Sequence, residues 1–158
     1  AFMLTLRRLE EWHLLVATYT DAFSRGDLMA HAYVAEAPGQ GPRQHVCALV
    51  DLRAVDISKL SGSDSRRFAF TRKERLSGQP AEPVAFLLKD MGQFGMIRMH
   101  NQWLEKVGLR DESDTFASDE PYVVLKWLED RTGQPGLADT LEARFDPKVS
   151  ENRRSAGS

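Results

Sequence analysis

The sequence has little of several features that define common protein classes. Among its 158 residues there is one cysteine, Cys47, so an internal disulfide and a site built from several thiolates are excluded. Lysine and arginine total 21 against 23 acidic residues, a net charge of −2, so the chain lacks the overall basic charge typical of nucleic-acid-binding proteins. No apolar run approaches the roughly 20 residues of a membrane span, and no signal-peptide pattern is present. We therefore expect a cytoplasmic protein with no nucleic-acid partner and no membrane span.

The residues that are present predict an α/β domain. The composition, 42% hydrophobic and 28% charged, is that of a globular domain with a proper core. Two apolar runs, residues 46–50 and 83–88, show no alternation, which is typical of strands buried on both faces in a parallel sheet. The strands are predicted at 3–9, 12–20, 46–50, 83–88 and 114–117, and the helices at 21–37, 63–77, 93–107, from about 119 and at 138–145. The order β-β-α-β-α-β-α-β-α predicts a mixed sheet, mostly parallel, with an antiparallel edge hairpin and helices packed on it.

Details of the last elements are also predicted. In the helix at 93–107, the buried side is predicted to contain Phe94, Ile97, Trp103, Leu104 and Val107, and Gly108 ends the helix. Ser118 or Asp119 is expected to cap the next helix. Residues 3–130 are expected to form the domain, and 131–158 a C-terminal extension: a short helix, then a disordered tail over 146–158.

Three stretches resemble the SpoIIAA-like family of STAS-type domains, which includes bacterial anti-sigma-factor antagonists. They are the strand end and turn DLRAVDISKLS at 51–61, the helix start QFGMIRM at 93–99, and the segment from Asp114-Thr115-Phe116 to Trp127-Leu128. The resemblance implies a STAS-type fold. It also implies a bacterial, non-enzymatic regulatory module that docks a partner protein and needs no cofactor.

Ser61 is the candidate phosphoacceptor. In phosphorylated antagonists, an Asp-Ser-Ser-Gly turn follows the strand and its second serine accepts phosphate. Ser61-Gly62 matches that turn in register, while Lys59 stands in place of the aspartate. A phosphate on Ser61 would bring roughly −2 charge close to Arg66 and Arg67. The ordinary alternative is that Ser61 or Ser63 caps the helix that follows.

The carboxyl ends of the central strands form the second candidate site. Ligands of open α/β sheets settle outside the strand ends, where this sequence places Asp51, Arg53 and the turn that contains Gln93 and Gly95. The helix start favours an anion, and Arg98, one turn further on, adds a bidentate donor. The structural alternative is that Arg53 pairs with Asp51 and the glycines only serve the turn.

A basic cluster is the strongest local charge asymmetry. Arg66, Arg67 and Lys73 lie in the helix at 63–77 with Arg72 and Arg75. A solvated helix face explains such a run, and an acidic partner protein or an anionic lipid is the sharper interpretation. His45 and Cys47 share a strand face, but no further ligands complete a metal site at the usual spacing.

These observations favour a partner-docking regulatory module. The alternative is a binder of a small anionic or lipid-like ligand at the strand ends. An enzyme is the less favoured class, because no nucleophile–base pair can be named. The edge hairpin at 3–20 makes a homodimer a further expectation.

Overall fold

The structure is a computed structural model that describes residues 4–20, 46–54, 62–76, 82–108 and 111–156. Within these ranges five strands form one sheet in the order β1-β2-β3-β4-β5. The strands are β1 (Leu4–Leu9), β2 (Leu14–Tyr19), β3 (Cys47–Asp51), β4 (Val84–Leu87) and β5 (Thr115–Ser118). The first two pair antiparallel and the other three pairs are parallel. The predicted mixed sheet with its antiparallel edge hairpin is thereby confirmed.

The described residues form five α-helices. They are α1 (Gly62–Leu76), α2 (Phe94–Lys106), α3 (Pro121–Thr132), α4 (Leu137–Phe145) and α5 (Pro147–Ala156). The predicted strands and the helices that became α1 to α4 are confirmed to within one or two residues. Gly108 ends the turn after α2 with φ of 78°, a left-handed value that favours glycine. The helix predicted at 21–37 lies outside the described residues.

The three central strands, β2, β3 and β4, are buried on both faces. On one face the core contains Ala48, Val50 and Phe86 together with Ile97 of α2. On the other, Leu49, Ala85 and Leu87 pack against side chains of α3 and α4. Consecutive residues of β3 and β4 therefore enter opposite cores, which explains the uninterrupted apolar runs.

Helices α1 and α2 share a small core of their own. The side chains of Phe68, Ala69, Leu104 and Val107 are buried there, and the half-buried Trp103 packs against them. The two crossover helices thus lie side by side, and their outer surfaces form one continuous face.

Three predictions about the later elements are wrong in detail. The Phe94 side chain is 38% exposed, whereas Ile97 and Leu104 of the same predicted set are buried. The N-cap of α3 is Glu120, and neither Ser118 nor Asp119 occupies that position. The Ser118 Oγ instead accepts a hydrogen bond from the Glu120 N–H at 3.2 Å, just before the helix begins. In place of a disordered tail, residues 147–156 form α5, which has no buried residue.

The C-terminal extension does not stand apart from the domain. The side chains of Leu137, Ala138, Leu141 and Phe145 in α4 are all buried in the second core. The expected boundary after residue 130 therefore cuts through one hydrophobic core. None of the helices in the described part of the chain is long and apolar enough to cross a bilayer.

Candidate functional site

The strand-end residues Asp51 and Arg53 form a closed pair. The Arg53 guanidinium donates from Nε to Asp51 Oδ1 at 3.1 Å and from Nη2 to Oδ2 at 3.0 Å. The Arg53 backbone N–H also donates to Oδ1, at 3.1 Å. The remaining arm, Nη1, donates to the backbone carbonyl of Phe145 at the end of α4. Each nitrogen of the guanidinium therefore has a partner within the chain, and the pair fastens α4 to the end of β3.

The turn before α2 is also held by its own hydrogen bonds. The Asp90 carboxylate accepts from the Gly92 N–H at 2.8 Å, and the Gln93 Oε1 accepts from the Lys89 N–H at 3.0 Å. Gly95 is exposed in the first turn of α2, and a Cβ placed there would meet nothing within 4 Å. The side chain of Gln93 therefore stabilises the turn. At Gly95 there is room for a larger side chain, so packing does not explain why glycine is found there.

Arg98 is separated from the other strand-end residues. Its side chain is exposed on α2 and lines a groove between α2 and β5. The contacts of Arg53 all go to Asp51 and Phe145. The described residues thus bring Asp51 and Arg53 together and leave Arg98 on another surface.

The outer face of α1 and α2 forms a basic–aromatic patch, defined by Arg66, Phe70 and Lys73 of α1 and Trp103 and Lys106 of α2. These side chains, together with Val107, line a shallow cavity of about 420 Å³. The Arg66 guanidinium lies 5.6 Å from the ring centroids of both Phe70 and Trp103, and the Lys106 ammonium lies 5.0 Å from that of Trp103. The cavity lining contains three cations and three apolar side chains, and no carboxylate among the described residues.

Helical geometry explains why this patch contains aromatic side chains. Arg66, Phe70 and Lys73 are four and three residues apart, so they follow one stripe of α1. Phe68 and Phe70 are two residues apart, which is a rotation of roughly 200° around the helix axis, so their side chains point to nearly opposite sides. Phe68 is buried, and Phe70 is consequently 46% exposed. The sequence analysis found the basic residues but missed Phe70, Trp103 and Lys106, although this two-residue spacing was the signal for Phe70.

Arg67, predicted with Arg66, is exposed on α1 but is not part of the cavity lining. Ser61 and His45 lie outside the described residues. The pairing of His45 with Cys47 is therefore not described either.

Cys47 is a buried thiol. Its Sγ donates to the backbone carbonyl of His13 at 3.9 Å. Burial, with a smaller contribution from the negative charge of Glu82, raises the pKa of Cys47 from 9.0 to about 12. The thiol is therefore protonated at neutral pH. Nucleophilic attack and metal binding both need a thiolate, so Cys47 is not suited to either. Across the described ranges, no three His, Cys, Asp or Glu side chains are grouped so that they could hold a metal ion.

Comparison of the chain with protein-family models, with curated proteins and with solved structures finds no match.

Proposed function

We propose that this protein is a non-enzymatic binding module, and that it docks an acidic segment of a partner protein on the basic–aromatic patch. The observation that carries the proposal is the half-exposed ring of Phe70, set beside Trp103 between the cations of Arg66, Lys73 and Lys106. Aromatic side chains and arginine are the residues that contribute most binding energy at protein interfaces.

The chemistry of the patch describes the partner. Its cavity takes an apolar side chain against Phe70 and Trp103. The cations around it attract carboxylates, which speeds the encounter and sets the orientation of the partner. The cation–π contacts hold the Arg66 side chain over both rings. Because this side chain is already ordered, it loses little conformational entropy when a partner binds. An acidic segment with one large apolar residue satisfies both requirements.

The resemblance to SpoIIAA-like proteins supports a regulatory role for such docking. Ser61 immediately precedes the first residue of α1, and Arg66 follows five positions later. A phosphate on Ser61 would add negative charge in the residues that precede α1 and would compete with an acidic partner for Arg66. Phosphorylation is therefore proposed to release the partner.

The proposal is tested by photo-crosslinking in the cells that make the protein. Phe70→p-benzoylphenylalanine places the crosslinker in the patch, and Glu151→p-benzoylphenylalanine, on the exposed α5, is the matched control. We expect a discrete heavier adduct from position 70 that is absent from position 151. Adding Arg66→Glu and Lys73→Glu should remove it. No adduct specific to position 70, or one that persists after both charge reversals, would contradict the proposal.

A further inference from the structure

A second surface lies on the far side of α2, away from the patch. A groove of about 490 Å³, here called the edge groove, runs between α2 and β5. Three consecutive strand residues line it: Thr115, Phe116 and Ala117. Successive side chains of a strand point to opposite faces of the sheet. A groove that touches three in a row must therefore meet the strand at its edge.

The hydrogen-bond pattern shows which backbone groups face that edge. The Leu88 N–H donates to the Ser118 carbonyl at 2.9 Å, so Ser118 directs its backbone groups toward β4. Along a strand the backbone groups of consecutive residues point to opposite sides. Ala117 therefore directs its N–H and C=O outward. Among the described residues these groups have no partner, and β5 is the last strand of the sheet.

The wall opposite the strand supplies apolar and polar contacts. Phe94, 38% exposed, and Ile97 give an apolar side. Asn101 lines the groove, and its buried Oδ1 has no hydrogen-bond partner in the part of the chain that is described. The groove thus combines side-chain contacts from the helix with unused backbone hydrogen-bonding groups of the strand.

We infer that the edge groove binds an extended peptide segment, which adds to β5 as a sixth strand. An edge strand beside a helix offers main-chain hydrogen bonds for affinity and side-chain pockets for specificity, and only an extended backbone uses both. The proposal is independent of docking at the basic–aromatic patch, since it uses a different face of α2.

Charge at the two ends of the groove sets the chemistry of the peptide. Arg98 and Glu105 both line it, and neither has an ion-pair partner among the described residues. Their separation of seven residues along α2 corresponds to about 10 Å, the length of about three strand residues. The peptide that fits carries an acidic side chain opposite Arg98 and a basic side chain opposite Glu105. The two lie two or four residues apart, so that both are on one face of the added strand.

The experiment selects displayed random dodecapeptides on the wild-type protein and on the variant Ala117→Pro. Proline removes the outward N–H, and a strand edge whose N–H faces outward is where proline is tolerated. Thermal unfolding of the variant checks that it is folded. We expect peptides enriched only on the wild type, with acidic and basic residues two or four positions apart. Methylating alternate backbone nitrogens of a selected peptide should weaken binding about tenfold or more, because main-chain hydrogen bonds are lost.

Charge reversal provides a second measurement that does not depend on proline. In the double variant Arg98→Glu with Glu105→Lys, selected peptides should be rejected, and peptides with their two charges exchanged should bind instead. Lys106→Glu, on the same helix but in the patch, is the matched control and should leave peptide binding unchanged. Equal enrichment on the wild type and on folded Ala117→Pro would overturn the proposal. So would a dimer of the wild type that Ala117→Pro dissociates, since a second copy would then occupy the edge.

Discussion

The guanidinium of Arg53 donates a hydrogen bond to the backbone carbonyl of Phe145, across 92 positions of the chain. The same group holds the carboxylate of Asp51, which is 8% exposed at the end of β3. An ion pair between two residues that are close in sequence thereby links the central strand of the sheet to the last residue of α4. This pairing is the structural alternative that the sequence analysis set beside a ligand site at the strand end.

Replacing Arg53 should destabilise the protein. In Arg53→Met the Asp51 carboxylate loses its partner while it stays largely buried, and the Phe145 carbonyl loses its donor. We expect the free energy of unfolding in urea to fall by about 1–3 kcal/mol. Arg98→Met, at an exposed arginine, is the control and should change it by no more than about 0.5 kcal/mol. Equal effects of the two substitutions would show that the Arg53 contacts contribute nothing.

Two phenylalanines two residues apart should lose very different amounts of stability on truncation. Phe68 is buried and its ring lies 4.8 Å from that of His100, so Phe68→Ala should cost about 3–5 kcal/mol. Phe70 is half exposed, and Phe70→Ala should cost less than about 1 kcal/mol while it removes partner docking. Chemical denaturation of both variants gives the comparison. A loss at Phe70 as large as that at Phe68 would mean that the patch is part of the core.

The buried thiol predicts a pH dependence of stability above pH 9. The pKa of Cys47 is about 12 in the folded protein against 9.0 as the ordinary value, so only the unfolded chain releases this proton between the two. The thiol therefore stabilises the fold fully below pH 9, and its contribution falls as the pH rises from 9 toward 12, by up to about 1.4 kcal/mol per pH unit. Cys47→Ala should be less stable at pH 8 but should lose stability less steeply above pH 9. Parallel curves for the two proteins would contradict the assignment.

The C-terminal helices should tolerate truncation very differently. Ending the chain after Asp146 removes α5, which has no buried residue and whose Arg153 donates to the Asp139 carbonyl at 3.2 Å. That deletion should cost less than about 1 kcal/mol. Ending the chain after Gly136 also removes α4 and uncovers the second core, so cooperative unfolding should be lost. Circular dichroism melts of the two truncated chains distinguish the outcomes, and a folded shorter chain would show that α4 is dispensable.

The sequence predicted the central strands well because their burial leaves a simple mark. The runs around Leu49 and Phe86 do not alternate between apolar and polar residues. Such continuous apolar runs are typical of strands in a sheet that is covered on both faces. The side chain of Phe94 was misplaced because helical periodicity gives a broad apolar stripe, and tertiary contact decides which of its margins is buried. Helix α5 was missed because its composition is polar and its pattern weak. The Arg53–Phe145 contact has no local sequence signal, since it depends on where α4 meets the sheet.

The distribution of the two cores along the chain has a consequence for synthesis. Helices α3 and α4, which cover the second face of β2, β3 and β4, are all encoded after the last strand. While the chain is being made, side chains such as Leu49 and Leu87 are therefore completed well before their cover exists. A nascent chain with such a bare sheet face is prone to aggregate. Safe folding in the cell then depends on how quickly the residues up to Phe145 follow the strands from the ribosome.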